Sequence, residues 1–209
     1  MQALNAAGAS AYSPTDSATT PSVTAPTLTG QDIGDPTPAG STTEITAGRD
    51  YDLVAGGTDI AGTVDRFHFA SRQVTGDFDL KVRVAFLVQQ DVFTKAGLMV
   101  REDLSASARN AMLATTFSDK GYRFTYRNTA GGLTNAAGSG PVTFPNAWVR
   151  LKRVGDVITG YRSTDGVNWT LVSSATITGL AQTVYVGLAV TSHNPAVTTT
   201  AQFREFGNA

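Results

Sequence analysis

Apolar and polar residues alternate in short runs from Leu28 onward, and breaks fall every several residues. This period of two, without a sustained 3.6-residue repeat, predicts an all-β chain. The clearest signal is Trp148 to Trp169, WVRLKRVGDVITGYRSTDGVNW. Gly155-Asp156 is a two-residue turn between alternating strands, so Val154 should oppose Val157, Lys152 Thr159, Arg150 Tyr161 and Trp148 Ser163. Val149, Leu151, Ile158 and Gly160 then share a packed face, and Trp148, Arg150, Lys152, Thr159 and Tyr161 share the opposite one. In Ser163-Thr164-Asp165-Gly166 the Asp closes an Asx-type turn and the Gly supplies positive φ.

The same reading places strands at 41–45, 51–54, 64–70, 78–88, 95–102, 111–117, 122–127, 184–192 and 200–206. A turn is expected at 32–36, and 130–140 reads as a Gly-rich loop. Phe78, Leu80, Val82, Val84 and Phe86 line one face of their strand; Ala96, Leu98 and Val100 line one face of theirs, opposite Lys95, Gly97, Met99 and Arg101. Strands this short and numerous imply a sandwich of two antiparallel sheets. Residues 1–27, rich in Ala, Ser, Thr and Pro, read as a tail or arm ahead of a β-sandwich domain at 28–209.

Composition narrows the function. With 16 basic against 17 acidic residues there is no electrostatic footprint for nucleic acid. Cysteine is absent, which removes disulfides, thiolate metal sites and thiol nucleophiles. No apolar run is long enough to span a membrane as a helix, and the first residues show neither the basic start nor the apolar stretch of a signal peptide, so either a leader has been removed or the protein reaches its place without one.

Seven segments in order resemble a concanavalin A-like (laminin-G-like) sandwich, nearest to a bacterial regulation-of-enolase-like group. They are DIG (32–34), GTDIAGTVDRFHF (57–69), GDFDLKVRV (76–84), KAGLMVRE (95–102), WVRLKR (148–153), STDGVNW (163–169) and VGLAVTSHN (186–194). The resemblance implies a jelly roll, a fold that serves lectins, glucanases and structural domains alike.

Catalysis is disfavoured. Glycoside hydrolysis needs two carboxylates about 5–9 Å apart, and the glucanases of this fold resemble one another in a Glu-x-Asp-x-x-Glu strand. Here Glu44, Glu102 and Glu205 are far apart in sequence. His68 and His193 have no nucleophile elbow beside them. No cofactor is required. Asp32, Asp35, Asp59 and Asp65 could converge on a structural Ca²⁺, or Asp32 and Asp59 could simply cap turns.

The remaining chemistry is aromatic and basic. Trp148, Arg150, Lys152 and Tyr161 suit stacking on a sugar and bonding to its hydroxyls or carboxylates, or they form a solvated outer face. Arg123 and Arg127, or Lys95, Met99 and Arg101, could extend that surface, with His193 at its rim. The expectation is a non-catalytic glycan-recognition or attachment module outside the cytoplasm, its partner a cell-surface polysaccharide. The alternative is a structural subunit of a virion or appendage whose N-terminal arm docks on neighbouring subunits.

Overall fold

The computed structural model describes residues 27–119 and 121–209, with the backbone of 4–5 and 8–9. Strands β1 (Leu4–Asn5) and β2 (Gly8–Ala9) pair with each other. The arm expected at 1–27 otherwise lies outside the described residues, Thr27 excepted. Fourteen further strands follow: β3 (Thr29–Ile33), β4 (Ser41–Thr46), β5 (Asp50–Ala55), β6 (Phe67–Thr75), β7 (Phe78–Leu87), β8 (Lys95–Arg101) and β9 (Asn110–Thr115). After them come β10 (Tyr122–Arg127), β11 (Asn135–Gly138), β12 (Ala147–Val154), β13 (Val157–Ser163), β14 (Thr170–Thr176), β15 (Thr183–Thr191) and β16 (Thr199–Asn208).

They form two seven-stranded antiparallel sheets, a jelly-roll sandwich as the alternation implies. Sheet 1 has the order β11-β10-β9-β8-β15-β6-β3 and sheet 2 the order β14-β13-β12-β7-β16-β5-β4. The inner faces meet in one core. Leu80, Val82, Val84, Val149, Leu151, Ile158 and Phe203 from sheet 2 belong to it, with Leu98, Val100, Leu113, Phe124, Val186 and Leu188 from sheet 1. The central hairpin takes the register read from its turn, Val154 opposite Val157 through Trp148 opposite Ser163. Gly155 has φ 58° and Gly166 φ 71°, the left-handed conformation that excludes most side chains.

Four expectations change. Phe86 does not join the core face of β7: Gln202 pairs with Phe86 and Phe203 with Val84, so Ala85 is an extra residue. That bulge reverses the alternation, leaving Phe86 exposed and Leu87 buried. The strand expected at 64–70 begins at Phe67, because Asp65 is held below the surface and Arg66 makes only an isolated bridge to Asp59. The loop at 130–140 contains β11, which pairs with β10, while Asp32 and Ile33 end β3 rather than opening a turn.

The outer faces differ. Sheet 1 carries a second apolar cluster, Ile33, Ile60, Phe67, Phe69, Met99, Met112, Ala114 and Ala189, with Leu104 and Ala106 packed against it. Strand β8 is therefore buried on both faces. Under this layer Asp65, Arg101 and Arg127 are wholly buried. Arg127 grips Asp65 with two bonds of 2.6 and 2.9 Å, and Arg101 stands 3.5 Å away.

Glu102 and Arg109 tie the β8–β9 turn to the next connection, since Arg109 also donates to the carbonyls of Thr178 and Gly179 at 2.9 and 2.8 Å. The Arg109 hydrogen bond holds the Glu102 carboxyl below its ordinary pKa. A carboxyl lowered by folding stabilises fully above the unfolded value, about 4.3 for glutamate, and loses that contribution as pH falls through the folded value. Glu102→Gln is thus expected to flatten the acid limb of the unfolding free energy. Parallel pH profiles for wild type and variant would remove the role assigned to this pair.

Candidate functional site

The loops that cover sheet 1 leave a cleft of about 370 Å³ beside the second apolar cluster. Its floor comes from β10, where alternation sends Tyr122 and Phe124 into the core and Arg123 and Thr125 outward. Lys95, at the start of β8, Ala136 on β11 and Thr134 just before it complete the sheet's share. The walls are Asp59, Ile60 and Ala61 from the β5–β6 loop, Phe93 from the β7–β8 loop and His193 after β15.

Charges converge here. Lys95, almost buried, donates to Asp59. The His193 ring lies between two carboxylates, with Nε2 3.3 Å from Asp59 and Nδ1 3.1 Å from Asp91. Its backbone is left-handed (φ 56°), a conformation that costs energy outside glycine and is tolerated mainly where the surroundings impose it. Phe93, 37% exposed, lies 5.6 Å from the His193 ring, with Lys95 and Arg123 over it at 5.8 and 6.0 Å. The Thr125 hydroxyl is buried without a partner among the described residues. An apolar platform with a few convergent polar groups is the common form of a small-ligand site.

The residues anticipated as one surface fall on opposite sides of the sandwich. Arg123 and His193 face the cleft; Trp148, Arg150, Lys152 and Tyr161 lie on the outer face of sheet 2. Trp148 points away from the core, as the alternation requires, yet only 7% of it is exposed because the 163–168 turn folds over its indole. A Cβ on Gly166 would stand 2.8 Å from that ring. Asp165 fixes this turn, accepting from the backbone of Val167 and Asn168 at 2.9 and 2.7 Å, and these bonds with the Asn168 side chain hold its carboxyl far below the ordinary range. Lys81 and Arg83 approach the indole at 5.8 and 5.9 Å. Arg150 is clamped by Asp79 at 2.7 and 2.6 Å and lies between Tyr161 and Trp169, while Lys152 stands 3.8 Å from Asp79. That face satisfies itself and offers no open aromatic platform at Trp148.

Arg127 is no surface ligand. It is buried beneath the cleft wall, where it donates to the carbonyls of Ala61, Gly62 and Gly132 and to the Thr134 hydroxyl. It positions the residues that line the cleft. Met99 and Arg101 are buried as well.

The four aspartates considered for Ca²⁺ have separate duties. Asp32 accepts from Gly40 N at 3.0 Å and from His68 at 2.7 Å, linking the edge strands of the two sheets. Asp35 is exposed in a turn, Asp59 faces Lys95 and His193, and Asp65 faces Arg127. Among the described residues no group of three His, Asp or Glu side chains could hold a metal ion.

Sequence reading did not assign Phe93, Asp91, Thr125 or Thr134 to the site, and it named Asp59 only as a candidate Ca²⁺ ligand. The available signal was Val92-Phe93 inside the polar run Gln89 to Thr94, a large apolar pair where a connection should be polar.

A family model described as "Protein of unknown function (DUF1349)" matches residues 38–207, most of the sandwich and every cleft residue. The chain belongs to the DUF1349 family. No curated protein matches this DUF1349 chain. Among solved structures, a functionally unknown protein from Saccharomyces cerevisiae is 17% identical with a TM-score of 0.66, over 86% of this chain and 95% of the other. The GH43 protein BlXynB from Bacillus licheniformis is 15% identical with a TM-score of 0.60, over 79% of this chain but only 34% of the other. A legume lectin-like domain from Entamoeba histolytica is 9% identical with a TM-score of 0.50, over 81% and 89%. These likenesses establish the concanavalin A-like fold for this DUF1349 member. They give no support to the narrower regulation-of-enolase-like group.

Proposed function

We propose that this DUF1349 sandwich is a non-catalytic carbohydrate-recognition module that binds through the cleft on sheet 1. The observation that carries this is the half-open Phe93 ring, set among Lys95, Arg123, His193 and Thr134 around a hollow of about 370 Å³. An aromatic face stacks on the C–H face of a pyranose, and surrounding donors meet its hydroxyls. The fold supports the reading in a general way: one structure sharing it is a lectin-like domain, and another is a GH43 protein of which this chain spans a third. Binding without hydrolysis is the economical reading, because the two carboxylates at the cleft, Asp59 and Asp91, already face Lys95 and His193.

A glycan array tests it. Wild type should bind at least one oligosaccharide class, and Phe93→Ala should weaken that binding about 10-fold or more through lost stacking and burial. Trp148→Ala should lower the melting temperature and leave binding intact. Binding lost with Trp148→Ala but kept with Phe93→Ala would move the site to sheet 2. Release of reducing ends on long incubation would overturn the non-catalytic assignment.

A further inference from the structure

The ion pairing inside the cleft is uneven, and one guanidinium stands outside it. Three basic side chains line it: Lys95, Arg123 and His193. Lys95 is paired with Asp59, and His193 stands between Asp59 and Asp91. Arg123 has neither a carboxylate nor a carbonyl partner among the described residues; its one contact is with the Phe93 ring, 6.0 Å away. Its guanidinium therefore retains a planar fork of donors, a shape that matches a carboxylate or another oxyanion in two parallel bonds.

A second observation lies beside it. Thr125 follows Arg123 on the same face of β10, about 7 Å along the strand. Its residue is 4% exposed, it lines the cleft, and its hydroxyl bonds to nothing among the described residues. Buried hydroxyls are almost always paired in folded proteins. The Thr125 hydroxyl is itself closed to solvent, so the groups left for a ligand are the unpaired guanidinium and the open Phe93 ring, which suit one negative charge carried beside a ring with a stackable face. A neutral sugar would leave the Arg123 charge unanswered in a partly closed cleft. A phosphate dianion would require a second free cation, and Lys95 is already committed.

We infer that the cleft selects an acidic saccharide, with Arg123 binding the carboxylate of a uronic acid residue or the equivalent sulfate ester, and Phe93 carrying the face of the ring. The inference rests on the glycan-recognition reading and adds the charge of the sugar to it. Lys95 is then a positioning residue: paired to Asp59, it holds the β5–β6 loop against the start of β8.

The test uses the full chain on an array of uronate oligosaccharides, their carboxyl-reduced neutral counterparts and sulfated oligosaccharides of the same backbones. Wild type is expected to prefer an acidic form over its neutral counterpart by about 10- to 100-fold, the usual worth of a charge-assisted hydrogen-bonded pair. Arg123→Gln should abolish that preference while keeping the melting temperature. Arg123→Lys, which keeps the charge and loses the fork, should fall between them. Preference for uronate or for sulfate ester identifies the anion. Equal binding of acidic and neutral forms, or an acidic preference that survives Arg123→Gln, overturns the inference and leaves glycan recognition standing. Failure of every saccharide, acidic or neutral, overturns both.

Discussion

Asp65→Ala is expected to lower the unfolding free energy by about 3–5 kcal/mol, the cost of leaving a buried ion without its partner. Asp65 is the carboxylate that faces two guanidiniums, those of Arg101 and Arg127, and none of the three side chains is exposed. Burial acts on Asp65 and Arg101 in the direction physics requires. It pushes the Asp65 carboxyl upward, against the pull of Arg127 and Arg101, and brings the Arg101 guanidinium down to about 10. The carbonyls around the arginines satisfy their donors but do not neutralise their charge: Asp103 for Arg101, and Ala108 and Gly132 for Arg127. Removing the one carboxylate therefore leaves two cations in a space closed to water. Urea unfolding monitored by tryptophan fluorescence measures the loss, and a change below about 1 kcal/mol would mean that the cluster relaxes or hydrates at little cost. Because Arg127 also holds the carbonyls of Ala61 and Gly62 and the Thr134 hydroxyl, glycan binding at the cleft should fall with stability.

What could be read from the chain alone was local. The Gly155-Asp156 turn determines the β12–β13 register, because a two-residue connection admits one pairing and alternation then assigns each side chain a face. The Asx turn at Asp165 is similarly self-contained within a few residues. The site is not local. Its parts come from four loops and three strands far apart in sequence, and which sheet carries them depends on strand order. Hence Trp148 and Arg150, correctly placed on an outward face, sit on the opposite outer face from Arg123 and His193. Nor could alternation show that one outward face would be covered. The polar-looking row Lys95, Gly97, Met99 and Arg101 is buried because loops carrying Ile60, Leu104 and Ala106 close over sheet 1. Phe86 shows the complementary failure, where a single extra residue shifts the period by one and an aromatic ring changes sides.

Phe124→Ala and Gly160→Leu should each destabilise the sandwich, by about 3–5 and at least about 1–3 kcal/mol respectively, while the double variant should cost clearly less than their sum. Phe124 on β10 is wholly buried and reaches across the core to β13, where Gly160 leaves room for its ring. A Cβ at Gly160 would stand 2.6 Å from Phe124 Cδ2 and 3.5 Å from the Leu113 Cβ. The Gly160 backbone is not left-handed, so space alone bars a side chain there. Truncating the ring opens a cavity, a leucine at 160 overfills the same volume, and together they exchange one large group for another. Urea unfolding of the four proteins yields the coupling, expected at about 1–3 kcal/mol in the compensating direction. A strictly additive cycle would mean that the two positions do not share that space. The exchange also bears on recognition: Phe124 sits between Arg123 and Thr125 in β10, and its packing fixes the strand whose other face is the cleft floor. Phe124→Ala should therefore weaken acidic-glycan binding without touching a ligand, and the double variant should recover part of it.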